Sequence, residues 1–232
     1  MYFLFPHLKF KYIINNHKKT IKSGVWYDED SKTMRGSSTF LSARVDSIAR
    51  NLGQGIRVAT LADLSRPEIM KIMKDKFYSD TPAIVLRSLK DSFEQNRLLI
   101  KQLAPMIEKK VGKLNLPVLI TGFDVKPSKS GEGYGLDIVA RDDFSVLQDE
   151  RLSGKYDGQR FSNVDENGLP IFDNSGSRTW FARNQGISRL CLNRNLDLYS
   201  WCYGDDSLAY SYDYGRVALV RDAVAVGRKK VK

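Results

Sequence analysis

Cysteine and histidine are scarce in this chain of 232 residues. It has two cysteines, Cys191 and Cys202, without a CxxC spacing, and two histidines, His7 and His17. A structural zinc site or a disulfide-rich secreted scaffold needs more of these residues, so we expect no metal, no cofactor and two reduced thiols. A histidine-dependent nucleophile would need the N-terminal segment to fold back onto the body.

Long apolar runs are missing as well. None approaches the roughly 20 residues that cross a bilayer. The apolar opening Met1–Phe5 is interrupted by Pro6 and has no basic segment before it, unlike a secretory signal. We therefore expect a cytoplasmic or virion-associated protein without a membrane partner.

Recognisable catalytic motifs are also absent. The acidic residues between 142 and 150 could supply an acid–base pair, but surface charge is their ordinary explanation. Gly53 and Gly55 form a glycine pair without the lysine of a phosphate-binding loop, which favours a simple turn. Residues 203–206 have the sequence YGDD, which also occurs in a turn of polymerase palm domains. The chain is too short for the rest of a polymerase, so this match is a coincidence. The sequence predicts a protein that is not an enzyme.

Positive charge is plentiful, with a formal net charge of +10. Such a charge favours anionic partners. Basic residues recur in residues 1–35, which we predict to be a basic extension with disorder as one alternative, and in a basic tail over 223–232. Solvated ends are the more ordinary explanation. The alternative function is a phage-type nucleic-acid-binding protein that uses the helical half and both ends.

Helical signals dominate residues 36–113. Ser65 and Glu68 have the spacing of a capping box, which predicts a helix over 66–77. Thr81 and Pro82 give a second start signal, which predicts a helix over 82–111. Its apolar residues recur at spacings of three and four, with Asn96 at the one missing step: Leu86, Leu89, Phe93, Ile100, Leu103, Ile107 and Val111.

That apolar stripe must be buried against something. Packing onto its own domain is the commoner explanation. A coiled-coil seam, which would give a homo-oligomer through the 82–111 helix, is the alternative. Pro105 counts against a long uninterrupted coil, because proline removes a backbone donor.

Strand signals dominate residues 114–222, which we predict to be a β-rich binding domain, so that the whole chain is α+β. Leu116–Ile120 and Leu136–Ala140 have the composition of strands, and residues 124–135 that of a loop. Turn residues at 165–168 and 173–176 flank a short strand. Before residue 114, only Ile56–Leu61 shows a comparable strand signal.

Residues 190–199 alternate almost strictly between apolar and polar. Leu190, Leu192, Leu196 and Leu198 fall on one face. Such alternation indicates one half-buried strand or a pair of short ones.

Five of the eleven tyrosines lie between residues 199 and 214. Tyrosine offers a large contact area at little cost in rotamer entropy, and Ser, Asn and Asp add hydrogen bonding, as in antibody paratopes. A solvent-facing β edge is the structural alternative. We expect this segment to bind a protein or glycan partner. The residues predicted to make the contacts are Asn193, Asn195, Asp197, Tyr199, Ser200, Trp201, Tyr203, Asp205, Asp206, Ser207, Tyr210, Ser211, Tyr212, Asp213 and Tyr214.

The charge of this segment argues against nucleic acid at the same place. Within residues 193–214, Arg194 is the only cation among four aspartates, which would repel phosphate. We therefore expect any nucleic acid to bind the helical half or the ends.

The polar and aromatic residues of 193–214, set in a Leu/Gly/Val frame and followed by Gly215–Asp222, resemble the variable proteins of diversity-generating retroelements. Phage receptor-binding proteins are among that family. The resemblance extends over Leu116–Asp222 at most and implies a C-type-lectin-like fold, diversification at adenine-containing codons, and binding without chemistry. Trp201 departs from the pattern, since adenine changes in an Asn codon do not produce it, and residues 223–232 continue past the expected end.

Overall fold

The computed structural model describes residues 26–28, 33–183, 186–201 and 208–222. In these residues the fold is mixed α/β, with four α-helices and one large sheet. The helices are α1 (Thr39–Asn51), α2 (Leu61–Leu64), α3 (Pro67–Met73) and α4 (Glu94–Val111). The strands are β1 (Trp26–Asp28), β2 (Thr33–Arg35), β3 (Ile56–Val58), β4 (Ser79–Leu86), β5 (Val118–Pro127), β6 (Leu136–Gln148), β7 (Arg160–Val164), β8 (Pro170–Phe172), β9 (Arg178–Ala182), β10 (Ile187–Leu192), β11 (Leu198–Ser200) and β12 (Leu219–Arg221).

The large sheet has eight strands in the order β6-β5-β4-β10-β11-β9-β7-β8. Its neighbours are antiparallel except β11 and β9, which are parallel. Both faces are covered: α1 and α4 contribute to a core on one face, while α2 and α3 contribute to a core on the other. Within the described part of the chain, no helix has the length and hydrophobicity that a membrane span requires.

Strand β4 replaces the first part of the helix predicted over 82–111, so that prediction is wrong before residue 94. Ile84 and Leu86 are buried in one core and Ala83 and Val85 in the other, as expected for a central strand with both faces covered. Pro82 lies where the register with β10 shifts, between the pairs Cys191–Asp80 and Arg189–Ile84. At such a bulge, the missing proline N–H leaves no ladder hydrogen bond unmade.

Helix α3 is shorter than the predicted helix over 66–77, and the predicted capping box at Ser65 is wrong. Arg66 is the N-cap and makes no side-chain capping bond. The capping box lies one helix earlier, where the Thr60 side chain accepts from the backbone N–H of Asp63 and the Asp63 side chain accepts from that of Thr60. Beyond Met73 the chain reaches Asp75 at a φ of 62°, which does not continue a helix.

Helix α4 packs its apolar face onto the chain's own sheet. Ile100, Leu103 and Ile107 are buried in the core with residues of β5 and β6, which confirms the commoner explanation of the stripe. That face is therefore not exposed for a coiled-coil seam. Asn96 is buried and its Oδ1 accepts from the Tyr134 hydroxyl at 2.6 Å, which explains a polar residue on the buried face. Leu89, which precedes the helix, is exposed.

The strand signals after residue 113 are largely confirmed. Strand β5 begins at Val118, and it continues through 124–127, which we had predicted as loop. Two tight turns are closed by backbone hydrogen bonds. The N–H of Gly168 donates to the carbonyl of Asp165, and the N–H of Gly176 donates to the carbonyl of Asp173. Around residue 55, the predicted short strand is β3, and Gly53 and Gly55 lie in a turn at positive φ.

The regions 36–113 and 114–222 share one sheet. All four described helices precede residue 112, but β4 lies between β5 and β10 of the later region. In addition, β12 near the C-terminus pairs with β3 in a separate two-stranded ladder. We predicted a helical half followed by a β half, and the structure confirms this order only in part. Strands β1 and β2 form a hairpin within the predicted extension, and the tail 223–232 lies outside the described residues.

Candidate functional site

Strands β10 and β11 form a hairpin, which is the second of the two predicted alternatives, a pair of short strands. Strand β10 is buried along its whole length, so the prediction that this stretch is half-buried is wrong there. Leu192 pairs with Leu198, and the turn is closed by the N–H of Asn193, which donates to the Asp197 carbonyl at 2.9 Å. Leu190, Leu192 and Leu198 are buried in the core. Because side chains alternate along a strand, the odd-numbered residues of β10 project from the opposite face.

On that opposite face lies a concave site of about 360 Å³, which we call the aromatic pocket. Its volume is at the lower end of ordinary ligand sites. Its buried residues are Tyr78, Arg189 and Cys191, and its remaining lining is Asn193, Tyr199, Trp201, Tyr210, Tyr212 and Tyr214. Six of these nine side chains are aromatic, and none is acidic.

A buried ion pair underlies the pocket. Arg189 Nε donates to Asp80 Oδ1 at 2.6 Å, its Nη2 donates to Oδ2, and its Nη1 donates to the Tyr210 carbonyl at 3.3 Å. Asp80 is fully buried, and the Arg189 side chain is 10% exposed. Burial, the largest single influence, would lower the pKa of Arg189. The charge of Asp80, its hydrogen bonds and the nearby Cys191 and Tyr78 together outweigh burial, so the pKa is raised and the guanidinium stays charged.

Tyr78 lies between the buried Arg189–Asp80 pair and the tyrosine-rich segment. Its hydroxyl donates to the Ser37 carbonyl and accepts from the backbone N–H of Tyr212, both at 2.9 Å. Gly215 packs so closely that a Cβ there would lie 2.8 Å from the end of the Tyr78 ring. Burial raises the pKa of Tyr78 to about 12. The hydroxyl is therefore neutral at physiological pH.

Three tyrosines form one wall. The rings of Tyr210 and Tyr212 meet edge to face with centroids 4.6 Å apart, and those of Tyr212 and Tyr214 stack at 5.2 Å. Ser211 serves a different purpose, because its Oγ accepts from the backbone N–H of Ser37 at 2.7 Å and ties the segment to the body. A turn closed by the Gly215 N–H, which donates to the Tyr212 carbonyl at 3.0 Å, holds Tyr214 beside Tyr212.

The opposite wall is a second aromatic group. Tyr199 and Trp201 meet edge to face at 4.8 Å, and Phe181 of the neighbouring strand β9 lies 4.7 Å from Tyr199. The guanidinium of Arg183 lies 4.1 Å from the Trp201 ring centroid. Across the pocket, that of Arg194 lies 5.4 Å from the Tyr214 centroid. Both distances are in the cation–π range.

The structure brings together six of the fifteen predicted contact residues: Asn193, Tyr199, Trp201, Tyr210, Tyr212 and Tyr214. Asn195, Asp197 and Asp213 lie outside the pocket. Asp197 instead accepts from the backbone N–H of Thr179 at 2.6 Å and from Asn195 Nδ2 at 2.7 Å. Tyr203, Asp205, Asp206 and Ser207 lie outside the described residues, as does Cys202.

Ser200 and Ser211 are corrections to the predicted contact set. Ser200 is fully buried, and its Oγ accepts from Arg87 Nη2 at 2.6 Å. Ser211 is held by its bond with Ser37. Each hydroxyl is engaged inside the fold and so is poorly placed to contact a partner.

Tyr78 and Arg189 were missed because their role depends on long-range pairing. Arg189 directly precedes the alternating stretch 190–199 and continues its polar positions, so a signal for its place on the polar face was available. Tyr78 gives no such signal, since its partners lie at residues 37 and 212. Arg194 is the only cation within residues 193–214, but two cations from outside that range also lie at the site, because Arg189 lines the pocket and Arg183 stacks on Trp201.

A second cavity of about 220 Å³ is lined by Asp143, which is one of the four acidic residues between 142 and 150. Asp143 is bound by Arg141 at 2.9 Å, and this hydrogen bond lowers the pKa of Asp143. Arg141 also bridges to the buried Asp46 at 2.8 Å, and Arg50 binds Asp46 at the same distance. These charges neutralise one another in a network that joins α1 to β6.

The described residues contain no group of three or more His, Cys, Asp or Glu side chains arranged to hold a metal ion. No family model, curated protein or solved structure matches this chain. Its function must therefore be argued from the chemistry of the aromatic pocket.

Proposed function

We propose that this chain is a non-enzymatic binding protein and that the aromatic pocket holds a group of a protein or glycan partner. The observation that carries the proposal is the convergence of six aromatic side chains around a buried Arg189–Asp80 pair. Pockets of this kind combine apolar contact area with a few fixed polar groups.

Structural support beneath the rings favours recognition. Tyr78, Arg189 and Ser37 each hydrogen-bond the segment 210–212, so its backbone is anchored at several points. Tyr210 and Tyr212 nevertheless remain 42% exposed. A supported backbone with exposed rings reduces the entropy that a partner must remove on binding.

The acidic residues near 142–150 give little support to an enzymatic alternative. An acid–base pair needs a carboxyl group whose pKa is near the working pH. The Arg141 hydrogen bond holds the pKa of Asp143 below its usual value. At Asp149, burial acts in the opposite direction, but hydrogen bonds from Arg151 leave the pKa lowered. Both groups are suited to ion pairing rather than to proton transfer.

The resemblance to retroelement variable proteins is part of the same proposal. Asn193, Tyr199, Tyr210, Tyr212 and Tyr214 have the side chains expected at diversified positions, and they line one pocket. A C-type-lectin-like fold is proposed on that resemblance alone. The genomic test is the presence, beside the gene, of a reverse transcriptase and a near-duplicate of the 3′ end. If related loci lack both, the retroelement origin is excluded while the binding function stands.

The alternative function, nucleic-acid binding, would rest on the helical half and the ends of the chain. Residues 36–113 carry a formal charge of +6 and residues 1–35 and 223–232 carry +4 each, whereas residues 114–222 carry −4. A salt titration with single-stranded DNA tests this alternative, because phosphate contacts give affinity that falls steeply with salt. No measurable affinity at low salt would remove it.

The direct test of the proposed function substitutes Tyr210 and Tyr212 by alanine in the full chain. Immobilised wild-type protein is used to select binders from a displayed peptide library and from a glycan array. We expect binders that lose at least about tenfold in affinity for the double variant, since interface tyrosines commonly contribute above 1 kcal/mol each. Both rings are half exposed, so the melting temperature should change little.

Tyr156→Ala is the matched control. Tyr156 also stacks on an aromatic ring, that of Phe172 at 5.1 Å, but it does not line the pocket. Selected binders should retain their affinity for this variant. Binders that ignore the Tyr210 and Tyr212 changes, or the recovery of none from either library, would contradict the proposed function.

A further inference from the structure

Three guanidinium groups lie at the rings of the aromatic pocket. Arg189 lies 5.3 Å from the Tyr78 centroid, Arg183 lies 4.1 Å from that of Trp201, and Arg194 lies 5.4 Å from that of Tyr214. Arg183 and Arg194 are exposed, whereas Arg189 is buried beneath the pocket. Cationic groups therefore surround the position that a ligand would occupy.

Two of the described carboxylates near these arginines, Asp80 and Asp197, are engaged within the fold. Asp80 is fully buried against Arg189, and Asp197 is bonded to the Thr179 backbone and to Asn195. None of the nine described lining residues is acidic. Arg189 is the one charged side chain among these nine residues, so the described lining complements an anion.

A cationic ligand does not fit this arrangement. Aromatic cages bind quaternary ammonium groups through ring faces that are available to the ligand. Here the protein's own arginines already stack on Tyr78, Trp201 and Tyr214. A second cation would meet their repulsion.

An anion with a ring makes better use of the site. Arg189 uses one N–H of Nε, one of Nη2 and one of Nη1 for Asp80 and Tyr210, so a guanidinium with five N–H groups has two left to donate. Tyr199, Tyr210 and Tyr212 add aromatic faces and hydroxyls. An isolated Asp or Glu side chain would use the guanidinium but leave most of the aromatic wall without contact.

We propose that the aromatic pocket binds a sugar ring that carries a carboxylate, as the acidic terminal residue of a glycan. The carboxylate lies toward Arg189 with the rim charges of Arg183 and Arg194 around it. The C–H face of the ring packs on the aromatic walls, and ring hydroxyls bond to Asn193 and the tyrosine hydroxyls. This inference rests on the proposed binding function and narrows its partner to one chemical class.

The first experiment varies the ligand rather than the protein. Glucuronate, N-acetylneuraminate, glucuronamide and glucose are titrated against the full chain by ligand-observed NMR. The two carboxylates should bind at least about fivefold more tightly than the amide or glucose, because hydrogen bonds to a charged acceptor are roughly twice as strong as those to a neutral one. Added salt should weaken the carboxylates and leave the neutral sugars unchanged.

The second experiment changes the rim of the pocket. Arg183→Gln with Arg194→Gln should reduce glucuronate affinity several-fold, whereas Arg97→Gln on the exposed side of α4 should not. Arg189 is left unchanged, because its removal would strand the buried Asp80 charge and unfold the site. The melting temperature of each variant establishes that the fold is retained.

Three results would overturn the inference. One is equal affinity for glucuronate and glucuronamide, which would show that the pocket does not recognise the negative charge of the carboxylate. Another is adenosine monophosphate binding as tightly as glucuronate, which would indicate phosphate recognition. The third is no binding of either acidic sugar while a selected partner still depends on Tyr210 and Tyr212, and that result would leave the proposed binding function intact.

Discussion

Tyr78 illustrates how one side chain can join distant parts of the sequence. Its hydroxyl bonds both Ser37 and Tyr212, and its ring contacts those of Tyr212 and Tyr214 at centroid distances of 6.1 and 5.2 Å. The residue is 4% exposed. We therefore expect it to set the position of the tyrosine wall and to couple that position to the stability of the fold.

Tyr78→Phe should reveal this coupling through pH. The ordinary tyrosine pKa of 10.0 is raised to about 12 in the fold, so the neutral hydroxyl contributes stability that is fully present below pH 10 and lost as pH rises to about 12. A shift of this size corresponds to roughly 2–3 kcal/mol. At neutral pH the variant should be less stable by about 1–2 kcal/mol, from its lost hydrogen bonds.

Urea unfolding followed across this alkaline range measures the difference between the two proteins. The gap between their free energies of unfolding should close and then reverse as pH rises from 10 toward 12, because only the wild type loses the contribution of a neutral Tyr78 and that loss exceeds the gap at neutral pH. A gap that stays constant over that range would show that the hydroxyl of Tyr78 is not protected by the fold.

The residue scale also shows what the sequence could predict of the site. Tyr210, Tyr212 and Tyr214 were predicted because their clustering is visible along the chain, and the alternation of β10 located the leucine face. Tyr78 and Arg189 were not, because their roles depend on pairings that span more than 100 residues. Composition therefore identified the tyrosines that line one side of the pocket, but the buried residues beneath them can be identified only from the tertiary structure.

At the scale of elements, β4 shows why local signals can mislead. Thr81 and Pro82 have the form of a helix start, yet the strand they belong to is buried on both faces and paired on both edges. Tertiary burial outweighs a weak local preference here. The stripe beyond Glu94 was predicted correctly, because α4 covers one face of the sheet and its apolar residues must follow a helical period.

The pairing of β5 with β6 also depends on a close backbone approach at Gly122. The register shifts between Thr121 and Phe123, and a Cβ on Gly122 would lie 2.3 Å from the Asp143 carbonyl oxygen. Gly135 has nearly the same φ, +68° against +71°, but open space around it. A comparison of substitutions at the two glycines therefore distinguishes the free-energy cost of a positive φ from the cost of a steric clash.

Gly122→Ala and Gly135→Ala should differ in stability for that reason. Both substitutions carry the conformational cost of positive φ, about 1–2 kcal/mol. Only Gly122→Ala should add overpacking, about 1–3 kcal/mol more. Urea unfolding of the two variants gives the comparison, and equal losses would mean that the strands can separate locally without cost.

For the molecule as a whole, charge and topology divide the chain differently. Charge separates the basic region 36–113 and two basic ends from the acidic region 114–222, which favours placing any nucleic-acid contact outside residues 114–222. Topology does not separate the body at residue 113, because β4 pairs with β5 and β10. The composition change near that residue is visible in the sequence, but the strand pairing that crosses it is not.

Fragments test whether the body is one cooperative unit. If residues 114–222 are expressed alone, β5 and β10 lose the strand that lies between them, and the core loses Ile84 and Leu86 from β4. Each such buried residue stabilises a fold by about 2–5 kcal/mol, a large part of the 5–15 kcal/mol typical of a whole domain. We expect this fragment and its complement, 36–113, to lack cooperative thermal transitions when separate, while the intact chain shows a single one. Near-ultraviolet circular dichroism with thermal melting makes the measurement, and a cooperative melt of 114–222 by itself would mean that the aromatic pocket's hairpin belongs to an independent domain after all.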